Sequence, residues 1–236
     1  MKTVLHRADS RGLAQHGWLT SRHTFSFANY YEASRTNFGL LRVLNDDVVV
    51  GGKGFGMHPH SNMEIISIPL HGALEHKDSM GNSYVIREGD VQVMSAGSGI
   101  THSEYNQSAS EPVQFLQIWI YPKERNIVPR YEQKSFDMST RKNTLQTVVS
   151  PDGSGETLRI NQDAWLSLAT IEKDNHLEYT LHKPGNVVYT FVLEGAVEIA
   201  GESLQRRDAI GIEEAEQFNV MSSGDSEILF IEVPAE

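Results

Sequence analysis

Runs of about five to seven residues rich in Val, Ile, Leu, Phe, Tyr and Trp recur along this chain. Each is closed by Gly, Asn, Asp or Pro. Leu40 to Leu44, Glu64 to Ile68, Asp90 to Met94 and Phe115 to Tyr121 make up the first half of the series. Ala164 to Ala169, Val187 to Leu193, Ala196 to Ala200 and Glu227 to Val233 make up the second. β-Branched and aromatic residues suit a pleated, half-buried surface, and the closing residues suit turns. Few stretches keep a helical period for three turns. The expectation is an all-β chain of antiparallel sandwiches or barrels with few short helices. At 236 residues it can bury one large core or two small ones.

An internal repeat favours two units. Leu70-His71-Gly72-Ala73-Leu74-Glu75 is echoed by Leu193-Glu194-Gly195-Ala196-Val197-Glu198, and each copy is followed by an aspartate that opens a new apolar run, Asp90 and Asp208. The charged, Pro129-containing stretch from Pro122 to Gln146 reads as the connection. The expected division is therefore an N-terminal metal-binding barrel over residues 1–130, then a linker and a metal-free C-terminal barrel over 131–236.

Two short clusters carry the chemistry. His58-Pro59-His60 and His102-Ser103-Glu104 both place ligand-type residues at i and i+2. On a strand those side chains share a face, so each pair can aim at one point. The chain has no cysteine, which leaves imidazole and carboxylate as ligands and excludes disulfides and thiol chemistry. Three imidazoles and one carboxylate suit one divalent first-row ion. Iron is the first expectation, with Mn, Ni, Co, Zn and Cu open. The second unit reads as metal-free: the offsets of His58 and His60 from Gly72 fall on Leu181 and Lys183 when measured from Gly195, with His182 out of phase between them.

At this point a family resemblance becomes specific. Gly54 to His60, with Glu64 and Gly72 behind it, resembles the first cupin motif. Gly89 to Asn106, ending in His102-Ser103-Glu104-Tyr105-Asn106, resembles the second. Together with His16-Gly17-Trp18-Leu19, His23 to Tyr31 and Arg42 to Asp47, they resemble the pirin family, and specifically its bacterial quercetin 2,3-dioxygenase-like members. The resemblance implies a bicupin, two packed antiparallel barrels, with His58, His60, His102 and Glu104 as ligands in the first. Many cupins use the carboxylate of the first motif, here Glu64. The pirin pattern uses Glu104, which shares strand parity with His102. Glu64 is then expected beside the site or facing substrate.

Gln117 is a polar exception on a strand face with Phe115, Trp119 and Tyr121, and it reads as a pocket hydrogen bonder or a satisfied buried amide. Met57 and Met94 read as core or pocket wall. His71 and His76 are expected at the rim, and His16 and His23 in packing among aromatics. Gly97-Ser98-Gly99 lacks the lysine of a phosphate loop and reads as a tight turn positioning His102.

Acidic residues outnumber basic ones 31 to 20, a formal charge of -11. That argues against direct nucleic-acid binding. No apolar run approaches a membrane span or a signal peptide, so a cytoplasmic protein is expected. The resemblance implies a dioxygenase that opens the ring of a flavonol such as quercetin with loss of carbon monoxide and dioxygen as co-substrate. The hydroxyl proton is expected to pass to Glu104, the one carboxylate placed on the metal, or to a water ligand. The alternative is a non-enzymatic metal-binding regulator acting through a protein partner.

Overall fold

Twenty-two strands and three short helical turns make up the regular structure of the computed structural model, which describes residues 1–236. In the first half the strands are β1 (Lys2–His6), β2 (Gly12–Gln15), β3 (Leu19–His23), β4 (Leu41–Val49), β5 (Gly54–His60), β6 (Glu64–His71), β7 (Ala73–Asp78), β8 (Ser83–Arg87), β9 (Asp90–Ser95), β10 (Ile100–Asn106), β11 (Val113–Ile120) and β12 (Arg130–Ser135). The second half adds β13 (Gln146–Ser150), β14 (Leu158–Arg159), β15 (Trp165–Ile171), β16 (His176–Thr180), β17 (Asn186–Glu194), β18 (Ala196–Ile199), β19 (Glu202–Gln205), β20 (Ala209–Glu213), β21 (Gln217–Ser222) and β22 (Ser226–Pro234). No helix is long and apolar enough to cross a membrane.

The strands form two seven-stranded and two four-stranded sheets. One large sheet runs β12-β9-β6-β11-β4-β3-β2 and belongs with the small sheet β5-β10-β7-β8. The other runs β1-β20-β17-β22-β15-β13-β14 and belongs with β16-β21-β18-β19. The two small sheets match strand for strand, β5 with β16, β10 with β21, β7 with β18 and β8 with β19. The sequence repeat falls on this symmetry. Gly72 separates β6 from β7 at φ 77°, and Gly195 separates β17 from β18 at φ 84°, a left-handed conformation that glycine adopts without strain. Asp90 accepts a hydrogen bond from the Arg87 amide, and Asp208 accepts one from the Gln205 amide, three residues back in each copy.

Alternation along two equivalent strands shows how each barrel divides its faces. On β11, Leu116, Ile118 and Ile120 join the largest core, as do Leu229, Ile231 and Val233 on β22. That core holds 26 buried residues drawn from both large sheets, so the barrels are joined face to face. Each buried Leu, Ile or Phe is worth roughly 1.5–3 kcal/mol, so separating the barrels would be costly. The opposite faces differ. Ile228 and Phe230 of β22 enter a 15-residue apolar filling of the second barrel with Tyr179, Val197, Ile199 and Phe218. The same face of β11 carries Phe115, Gln117 and Trp119, and the small apolar clusters there hold only six and four buried residues. The first barrel keeps room and polar groups inside.

Pairing crosses the division expected at residue 130 in two places. β1, the first strand of the chain, pairs with β20 in the second barrel, Lys2 opposite Glu213 and His6 opposite Ala209. β12, inside the stretch read as linker, pairs with β9 and completes the first large sheet. A short N-terminal strand carries no cue in its own sequence about which sheet edge it will join.

Candidate metal centre

Strands β5 and β10 run antiparallel with His58 opposite His102 and His60 opposite Ile100. A bulge between His102 and Glu104 shifts the register, so Glu104 lies opposite Phe55. On its other side β10 pairs with β7, bringing His102 opposite Asp78 and Glu104 opposite His76. The turn before β10 is tight. A Cβ on Gly97 (φ 49°) would collide with the Ile127 carbonyl oxygen, and the Ser98 amide donates to that same oxygen at 2.8 Å.

The three imidazoles form a near-equilateral triangle. Ring centroids are 4.4 Å apart for His58 and His102, 4.8 Å for His58 and His60, and 4.9 Å for His60 and His102. One ligand atom from each lies within 4.8 Å of the others. His58 Nδ1 pairs with the Gly56 carbonyl at 2.7 Å, which leaves Nε2 free. Burial pushes His102 down to about 3, with His58 and His76 adding to the effect, and burial pushes His60 down to about 4, with His102 and His58 adding. These rings are held neutral, the form that binds metal. His102 is buried and neither of its ring nitrogens has a hydrogen-bond partner. Buried polar atoms are nearly always satisfied, so a divalent ion among these imidazoles fits the donor set.

Glu104 is also buried and belongs to a second cluster that shares His102: His76, His102 and Glu104. It does not join the three-imidazole cluster at the same distance. Gln117 Nε2 donates to its Oε2 at 2.8 Å, and the Ser67 hydroxyl lies 3.1 Å from its Oε1. His76 is fully buried, with Nε2 against Asp78 Oδ2 at 3.1 Å and its ring on Tyr131, centroids 4.6 Å apart. Asp78 is fixed in turn by the amides of Met80 and Asn82 and by the Asn82 side chain. The expectation that His76 sits at the rim is therefore overturned. The alternation Leu74-His76-Asp78 along β7, with Leu74 in the core, was the available signal. His71 is exposed, as a rim residue should be.

A cavity of about 750 Å³ opens beside these groups. Trp18, Phe27, Tyr30, Phe55 and Trp119 give it aromatic walls, and His58, His60, Glu104 and Gln117 line it as well. Phe27 meets Trp119 edge-on at 5.3 Å and Trp18 meets Phe55 at 5.1 Å. His16 and His23 also line it, and His23 packs edge-on against Phe27.

Three of the weaker candidates lie elsewhere. Glu64 is buried and accepts from Ser95 Oγ at 2.8 Å and from the Asn161 amide at 3.1 Å. It therefore ties the first large sheet to the second half of the chain and lines no part of the cavity. Met57 is 60% exposed, because it has the opposite strand parity to His58 and His60. Met94 is buried with Ile65, Ala96 and Ile100, away from the cavity lining. Ser21 also lines the cavity, as do Asn45 and Asp47, which entered the family resemblance without a role. The signal was the polar triplet Asn45-Asp46-Asp47 inside an otherwise apolar strand.

In the second barrel His182 stacks on Trp165 at 5.0 Å and bonds Glu232 at 2.9 Å. It joins no cluster of ligand-type groups.

Comparison with known families and proteins follows this division. The family model described as Pirin matches residues 6–120, and the one described as Quercetinase C-terminal cupin domain matches residues 147–233. A protein named quercetin 2,3-dioxygenase from Escherichia coli (strain K12) is 44% identical over 232 residues, 98% of each chain. A pirin-like protein from Caulobacter vibrioides is 39% identical over 225 residues, 95% of this chain and 96% of that one. Among solved structures, the nickel(II) complex of the bacterial pirin YhhW from Escherichia coli superposes with a TM-score of 0.94 at 42% identity, covering 99% of both chains.

Proposed function

Because this chain belongs to the pirin family and carries its two-barrel architecture throughout, we propose that it is a metal-dependent dioxygenase of flavonols such as quercetin. The carrying observation is a triangle of three imidazoles that shares His102 with the cluster holding a braced carboxylate, beside a large aromatic cavity. His58, His60, His102 and Glu104 would hold one divalent ion, with iron the first expectation and the nickel of the Escherichia coli pirin a precedent for another occupant.

A bound ion would supply Lewis acidity toward the hydroxyl and carbonyl edge of the flavonol. The protein groups do the rest. Glu104 takes the 3-hydroxyl proton, and a base must lie within roughly 2.6–3.2 Å of its donor to do so. Gln117 and Ser67 hold both carboxylate oxygens, so the base is fixed before substrate arrives. Trp119 and Phe27 on one side, and Phe55 and Trp18 on another, take up the planar rings and exclude water. One flavonol and one dioxygen give one ring-opened ester acid and one carbon monoxide, so the change balances without an external reductant. The substrates are small molecules, consistent with a chain whose charge is -11.

The test is oxygen uptake and carbon monoxide release with quercetin, using protein of measured metal content. Activity that disappears with chelation and returns with a first-row ion supports the reading. Metal-loaded protein that consumes no oxygen with any flavonol refutes it.

A further inference from the structure

The large-sheet side of the cavity carries polar atoms that nothing in the protein satisfies. His23 Nδ1, Asn45 Oδ1 and Trp119 Nε1 are buried without a hydrogen-bond partner, Asp47 has at most the facing Ser21 hydroxyl, and all five residues line the cavity. They are not scattered. Ser21 lies opposite Asp47 and His23 opposite Asn45 across β3 and β4, and Asn45 lies opposite Gln117 across β4 and β11. The result is one contiguous polar patch facing the small sheet that carries His58, His60 and Glu104. Asn45 and Asp47 are only 3% and 4% exposed.

Asn45 and Asp47 present acceptor oxygens, beside the Trp119 N–H donor and the Ser21 and His23 groups, which can play either part. An ionised carboxylate only accepts, and an amide oxygen only accepts. Their complement is a ligand that presents donors. A planar ring with two neighbouring phenolic hydroxyls offers two O–H groups at a spacing that suits the two oxygens of one carboxylate, and such charge-assisted pairs are the stronger kind. Burial pushes Asp47 up to about 7, Asp46 and Glu104 adding to the rise while the Ser21 hydroxyl opposes it. A carboxylate so poorly solvated gains more than a hydrated one from two donors. Asp47 stands outside both ligand clusters, so a metal does not account for its idle oxygen.

We propose that Asp47, with Asn45 and Ser21, forms a recognition subsite for paired phenolic hydroxyls on the ring of the substrate remote from the metal centre. It makes Asp47 a specificity-determining residue for substrates with a vicinal diphenol. The inference rests on the flavonol reading for the ligand class, but it concerns binding and can be tested without turnover.

The experiment is calorimetric titration, with dioxygen excluded and at a pH above 7 where Asp47 is ionised, of metal-loaded protein with quercetin and with galangin, which lacks both hydroxyls on that ring. The wild type is expected to favour quercetin by about 10-fold to 100-fold, the range for hydrogen bonds to a charged group. In Asp47→Asn, and again in Asp47→Ala, the ratio of the two dissociation constants should fall toward one. Thermal unfolding and metal content of each variant check that it is intact, and either variant suffices if the other does not fold. Equal affinity of the wild type for both flavonols overturns the subsite, as does discrimination that survives in either folded variant. Binding with the expected ratio but no oxygen consumption would keep the subsite and remove the dioxygenase reading. Turnover of both flavonols with no discrimination would do the reverse.

Discussion

Gln117 donates its amide N–H to Glu104 across 2.8 Å of barrel interior. The bond joins a strand of the large sheet to the one carboxylate expected on the metal. At the equivalent position of the second barrel stands Phe230, packed on Tyr179 at 5.0 Å. One barrel uses this place to brace a charged group and the other to fill an apolar core.

Gln117→Leu should therefore leave the three imidazoles in place while freeing one oxygen of Glu104. Loss of such an orienting bond typically costs about 10-fold to 100-fold in metal affinity or activity. Titration with a competing chelator and oxygen uptake at equal metal content would separate the two. A variant unchanged in both would show that the bond does no orienting.

Metal content should distinguish His102 from Glu64. His102→Ala removes a ring shared by both ligand clusters, so the purified protein should lose most of its metal. Glu64→Gln alters a carboxylate bonded to Ser95 and to the Asn161 amide, so metal should remain near the wild-type value. The reverse pattern in elemental analysis would make Glu64 the ligand.

The buried His76–Asp78 pair lies behind His102 and Glu104. Asp78→Ala removes the acceptor that fixes the His76 ring. We expect metal affinity to fall by about 10-fold with the fold retained, read by chelator competition and circular dichroism. Unchanged affinity would reduce the pair to packing.

Acid stability should depend on His6. Its ring packs against Tyr189, with Nδ1 2.6 Å from the phenolic oxygen, and seats the N-terminal strand on the second barrel. Burial lowers its pKa from 6.5 to about 4, with Arg35 adding to the shift. The unfolded chain therefore binds a proton more readily than the folded one. The stability held by the neutral ring is complete above about pH 6.5 and is lost as the pH falls toward 4. The span corresponds to at most about 3 kcal/mol. Comparing melting temperatures at pH 7.5 and 5, His6→Gln should lose less on acidification than the wild type. An equal loss would place the acid sensitivity elsewhere.

Much of this was legible in the sequence because strand parity is simple. Parity brings His58 and His60 to one side with His102, and Phe115, Gln117 and Trp119 to one face of β11. Tyr121, expected on that face, lies past the end of the strand and is exposed, and a bulge separates His102 from Glu104. The repeat read out directly, since Gly72 and Gly195 both occupy a left-handed turn that restricts the residue type. Parity also placed Met57 outside, opposite to His58, although the reading put it in the core or pocket wall. His76 was expected at the rim and Asp47 was given no role, because a polar residue on a strand reads by default as facing solvent. Only the closure of the barrel shows which polar residues end up inside. The exchange of β1 onto the second barrel depends on a sheet edge some two hundred residues away, and no local pattern encodes it.

A base role for Glu104 in a metal-dependent opening of a flavonol has one direct consequence for turnover. The direct measurement is quercetin turnover by wild type and Glu104→Gln loaded to equal metal content. Oxygen uptake matched by carbon monoxide is expected in the wild type, with a rate lower by roughly 10²-fold or more in the variant, the lower end of the general-base range. Equal rates in the two proteins would contradict the role of Glu104, and no uptake by the metal-loaded wild type would contradict the dioxygenase itself.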